Sequence, residues 1–133
     1  MTDKSILLID FDGVIHSYTS GWKGAAMIPD PPVPGALRWL WKATEWFNIY
    51  VYSSRSSSPA GLAAMKRWLL EHAVVEFGSD HPMAIMENHP LKFSHEKPAA
   101  AFLTIDDRCI CFEGDWNEIE PADLLDFKPW NKR

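Results

Sequence analysis

With 133 residues, 47% of them hydrophobic and 23% charged, the chain has the size and composition of one globular domain with its own core. A net charge of −5 gives no electrostatic argument for duplex nucleic acid, though it leaves room for a locally basic cleft. The N-terminus carries one lysine and a short apolar run, too little for a signal peptide or a membrane span, so a cytoplasmic protein with no membrane partner is expected.

The first element is the apolar run Ile6-Leu7-Leu8-Ile9, which passes directly into Asp10-Phe11-Asp12-Gly13. On a strand, residues two apart share a face, so Asp10 and Asp12 can converge on one point. Two anions brought together cost free energy unless a cation or a shared proton offsets them. Asp-Gly between apolar runs is equally a hairpin signal, with Leu7–Phe11 and Val14–Tyr18 as antiparallel partners. The stretch alone leaves both readings open.

Residues 16–34 follow, rich in glycine and proline, and read as an irregular insertion containing a small flap in which Trp22 and Met27 argue for order. Pro34 then suits the first turn of a helix over Ala36–Phe47, whose apolar positions 36, 39, 40, 43, 46 and 47 keep helical spacing and make its tryptophans packing residues. Ile49–Tyr52 is a β-branched and aromatic strand that ends in Ser53-Ser54-Arg55. Ser58 caps a helix opened by Pro59 and running to about His72, and Val74–Phe77 reads as a further strand. Beyond it come a helical turn over 83–88, a short strand at Leu91–Phe93, and a strand Ala100–Ile105 that ends in Asp106-Asp107-Arg108. Cys109–Phe112 reads as extended, Gly114 as a turn, and Pro121–Phe127 as a last short helix. Cys109 and Cys111, one residue apart, are too close for an ordinary disulfide and too few for a zinc site, so they are expected as free thiols.

Strands alternating with helices predict an open, largely parallel α/β sheet, in which ligands bind at the carboxyl ends of the strands. Three predicted strands end in polar clusters: Asp10-Phe11-Asp12, Ser53-Ser54-Arg55 and Asp106-Asp107. Oxygen-only ligands suit a hard cation and favour Mg²⁺, and serine, arginine and lysine suit a phosphate beside it. One carboxylate can attack phosphorus while a second moves the proton. The five histidines, His16 among them, form no metal-ligand pattern, and His16 reads as an ordinary flap residue.

In this order, Asp10-Phe11-Asp12-Gly13-Val14-Ile15, Val51-Tyr52-Ser53, Lys97 and Ile105-Asp106-Asp107-Arg108 resemble the haloacid dehalogenase (HAD) superfamily of Mg²⁺-dependent phosphohydrolases. The resemblance implies a single three-layer, Rossmann-like HAD domain over residues 1–133 with no large cap. It implies Asp10 as nucleophile, Asp12 as general acid/base and Ser53 and Lys97 as phosphoryl-binding catalytic residues. Asp10, Asp12, Asp106 and Asp107 would form the metal site, with Asp12 contributing its backbone carbonyl and Asp107 preferred over Asp106 as direct ligand. Lys92 is the alternative to Lys97. Ser54 and Arg55 would bind substrate, since Ser53-x-Arg55 resembles the phosphate clamp of polynucleotide 3'-phosphatases. The expected substrates are small phosphorylated molecules, nucleotides among them, or nucleic-acid ends. A receiver-like phosphoacceptor domain and a non-catalytic HAD-like binding domain are the alternatives.

Overall fold

A computed structural model describes residues 4–133. Four strands, β1 (Ser5–Ile9), β2 (Phe47–Val51), β3 (Leu91–Phe93) and β4 (Ala101–Ile105), form one sheet in the order β3-β2-β1-β4. All three pairings are parallel, with Ile9 beside Val51 on one side and Ile105 on the other. Two α-helices, α1 (Ala36–Ala43) and α2 (Pro59–Phe77), supply the crossovers, and short 3-10 turns make up the other helical segments. This is the expected α/β, Rossmann-like arrangement.

Alternation along the strands builds the core. Leu7, Ile9, Ile49, Val51 and Leu91 share one face and pack with Leu37, Leu40 and Ala43 of α1 and Met65, Trp68 and Leu69 of α2. Both helices therefore join the same core. Leu8 and Thr104 point to the opposite face, beside the cavity described below.

Several predicted boundaries differ. Helix α1 starts after Gly35, whose φ of 84° needs glycine, so Pro34 lies outside it. The helix stops at Ala43, and a tight turn delivers the chain to β2 at Phe47. Its buried stripe is 37, 40 and 43, which leaves Trp39 and Trp46 exposed. Trp39 overhangs an apolar recess of about 460 Å³ beside Ile9 and Ile105 instead of filling the core.

Val74–Phe77 is not a strand but the last turn of α2. Once Ser58 has capped the helix through the Gly61 N–H, each added residue gains a backbone hydrogen bond, and Ala73 still falls on the buried stripe. The helix keeps going although Val75 is left exposed, and it ends at Gly78. Cys109–Phe112 has no regular structure, and both cysteines are exposed free thiols. Pro121–Asp126 forms a 3-10 turn with Leu125 facing solvent. Among the described residues no helix is long and apolar enough to cross a membrane.

Candidate functional site

The ladders of the sheet continue one step past the strands: the Asp10 N–H donates to the Ile105 carbonyl at 3.0 Å and the Tyr52 N–H to the Ile9 carbonyl at 3.1 Å. Asp10 is thereby held next to Asp106 and Asp107 at the carboxyl ends of β1 and β4. One carboxylate oxygen from each of the three lies within 4.8 Å of the others. Burial pushes the Asp10 carboxyl up to about 8, with the Asp106 charge and a hydrogen bond to Asp107 adding to the shift against one backbone hydrogen bond. Asp107 is raised as well, mainly by burial. Three carboxylates at this spacing, none of them in an ion pair among the described residues, are a fitting donor set for a hard divalent cation.

Gly13 makes the close approach possible. Its φ is 81°, and a Cβ added there would run into the Asp107 carboxylate. The Asp-Gly pair does not start a hairpin. Val14, Ile15 and His16 all donate their N–H groups back to the Phe11 carbonyl, so the chain coils tightly after the motif.

A cavity of about 200 Å³ beside the cluster is lined by Asp10, Asp106, Ser53, Ser54 and Lys97, among others. Ser53 sits there because it caps the 3-10 turn Ser54–Ser57: its hydroxyl accepts from the Arg55 N–H, while its own N–H donates to the Ser56 hydroxyl. Lys97 reaches this cavity from the loop before β4. Lys92 lies on β3 opposite Tyr50, away from it.

Asp12 behaves differently from Asp10. Its carboxylate lies outside the acidic cluster. The shared-face argument holds only within a strand, and β1 ends at Ile9, before either aspartate. Arg55 Nε instead donates to both Asp12 oxygens, at 3.0 and 3.2 Å. His16 Nδ1 lies 2.9 Å from Asp12 Oδ1. Because His16 Nε2 accepts from the Asp30 N–H at 3.1 Å, the ring proton resides on Nδ1 and His16 is the donor to Asp12.

The same group of residues orders the flap. Its base closes through Ser17 N–H to the Pro31 carbonyl and Val33 N–H to the Ile15 carbonyl. Asp30 accepts from the Ser20 hydroxyl and N–H, which hold its carboxyl below the usual range, and Trp68 Nε1 donates to the Asp30 carbonyl. Tyr18 takes the left-handed conformation, φ 60°, and its phenol is raised by burial and by the charge of Asp12.

From sequence His16 reads as an ordinary flap residue and Gly13 as a turn residue of the motif, whereas Asp30 and Trp130 carry no assigned role. A histidine four residues after an aspartate was a usable signal for the first. Trp130 had none, since its indole N–H donates to the Gly13 carbonyl across 117 residues of sequence. Comparison with protein-family models, with curated proteins and with solved structures gives no match for this chain.

Proposed function

We propose that the chain is a Mg²⁺-dependent phosphomonoesterase of HAD type, acting through an aspartyl-phosphate on small phosphorylated substrates such as nucleotides, with nucleic-acid ends a further class. The observation that carries this reading is the meeting of Asp10, Asp106 and Asp107 at the ends of adjacent parallel strands, beside a cavity that Ser53 and Lys97 also line. The HAD-like part of the fold, three layers without a large cap, belongs to the same proposal. So does a cytoplasmic setting, which suits the free thiols of Cys109 and Cys111.

In this reading Asp10 Oδ attacks phosphorus and the bond to the leaving oxygen breaks; that oxygen takes a proton from Asp12, which has to bind one first, since in the structure both its oxygens accept from Arg55. Water then gives a proton to Asp12 and its oxygen to phosphorus, which frees Asp10. Ser53 and Lys97 hold the phosphoryl oxygens throughout. Mg²⁺ held by Asp10, Asp106 or Asp107 and the Asp12 carbonyl would offset the negative charge of carboxylates and phosphate.

The test is release of phosphate from an aryl phosphate with and without Mg²⁺, using wild type and Asp10→Asn. Mg²⁺-dependent turnover that Asp10→Asn abolishes is expected. No release from a broad panel of phosphate esters, or equal release by the variant, rejects the proposal.

A further inference from the structure

We infer that the chain pairs with a second copy of itself along the open edge of β4, about a two-fold axis that joins the two sheets into one. The two edges of the sheet are built differently. Edge β3 is three residues long, follows Pro90 and carries Lys92 at its centre, and shortness and a lysine are ordinary devices against strand addition. Edge β4 has five residues, Ala101-Phe102-Leu103-Thr104-Ile105, with no charge and no proline. Its ladder to β1 is irregular only near Ala101, and Leu103–Ile105 keep a regular register. The outer row of backbone groups along that stretch is a template for another strand.

The same strand lacks a cover. Parallel sheets are ordinarily buried on both faces. Here both helices cross between strands on the β3 side, and after β4 the described residues form only 3-10 turns. Leu103 is therefore 53% exposed, although Leu7, its neighbour in the register, is 1% exposed. The apolar surface is continuous. Phe102 stacks on Phe47 with ring centroids 6.5 Å apart, and Phe47 and Trp46 share a hollow with Trp39. Trp39 in turn overhangs the recess of about 460 Å³ that Ile105 lines. A contiguous patch of this kind marks a contact site.

Surface area points to a copy of the chain as the occupant. A compact monomer of 15.2 kDa exposes about 7,100 Å². This chain exposes 8676 Å². The excess, more than about 1,000 Å², exceeds the roughly 800 Å² that each partner buries in a stable complex. An uncharged strand meets its own copy without like-charge repulsion, even in a chain of net charge −5. A two-fold axis lets each β4 complete the ladder of the other, antiparallel, and closes the assembly at two chains.

Sedimentation equilibrium tests this from micromolar to hundred-micromolar chain, under reducing conditions that keep Cys109 and Cys111 from cross-linking copies. Wild type should approach twice the 15.2 kDa chain mass as concentration rises. Leu103→Lys, at an already exposed position, should raise the dimer Kd by about a hundredfold or more, and Trp39→Lys by about tenfold. Val75→Lys, exposed on α2 and remote from β4 in the strand order, should leave the dimer unchanged. Hydrogen exchange along β4 should slow over the same concentration range while that of β3 holds.

A wild type that stays monomeric throughout would overturn the inference and leave the patch to a different partner. Growth past two chains would overturn the closed two-fold pairing. So would a dimer that Leu103→Lys and Trp39→Lys both leave intact, or one that Val75→Lys disrupts equally. Should Leu103→Lys fold poorly, Trp39→Lys and the exchange of wild-type β4 decide the matter, since neither alters the strand. Every one of these readouts is independent of turnover, so the pairing stands or falls apart from the phosphatase reading.

Discussion

Asp10 and Asp12 stand two residues apart in one motif, yet their surroundings are opposite. Asp10 meets two further carboxylates and, among the described residues, forms no ion pair, and its carboxyl is pushed up to about 8. Asp12 meets a guanidinium and an imidazole N–H, both buried, in a network that extends through the flap. The satisfied half of the motif organises structure. The unsatisfied half stores electrostatic free energy that only a proton or a cation relieves, and such residues mark a candidate for chemistry.

The sharpest way to break this contrast is Asp10→Asn. It should lower turnover by roughly 10⁴-fold or more, as loss of a nucleophile does, while the metal-free variant melts above metal-free wild type near neutral pH. A variant that melts lower would mean that Asp10 is not in conflict with its neighbours. Next in size, Arg55→Ala should cost about 3–5 kcal/mol in a urea titration, because it leaves the partly buried Asp12 charge without its partner. A cost below about 1 kcal/mol, the range of an exposed pair, would remove the distinction between the two aspartates.

The third prediction concerns pH. The folded-state pKa of Asp10 lies above its unfolded value, so between pH 4 and 8 the metal-free folded protein holds a proton that the unfolded chain has lost. Metal-free stability should therefore fall as pH rises through that window. Mg²⁺ must displace the same proton, so its apparent affinity should rise by up to about tenfold per pH unit below pH 8. Calorimetric titration at pH 6, 7 and 8 checks both the slope and the release of a proton. The smallest effect is expected from Trp130→Phe, which removes the indole hydrogen bond to the Gly13 carbonyl and should cost about 1 kcal/mol. A larger drop in turnover than in stability would tie the C-terminal contact to the acidic cluster as well as to the fold.

The strands and the acidic cluster were legible because each is a local signal: an apolar run that ends in carboxylates, placed by parallel topology on one sheet edge. Val74-Val75 misled because β-branched residues favour strands, and helix propagation from a capped start overrode that preference. The convergence of Asp10 with Asp12 misled for a different reason. Alternation was extended two residues beyond a strand that had already ended. Arg55 was found from its serine-x-arginine context, but its partners lie in a flap 28 to 31 residues earlier and on Asp12, 43 residues away. Contacts at such separations have no periodic trace in sequence.

Strand β4 carries two of the three clustered carboxylates at its end, and it is the least protected part of the sheet. Among the described residues it pairs only with β1, and Phe102 and Leu103, on opposite faces, are 69% and 53% exposed. Few apolar contacts and one ladder imply a low local opening free energy, so its amides should exchange with solvent well before those of β1 and β2. An ion gripped by Asp10 on one side and by Asp106 and Asp107 on the other would act as a clasp across that ladder. Binding would then appear as slowed hydrogen exchange along β4 before any product is measured, and the cofactor would fasten the scaffold that presents it.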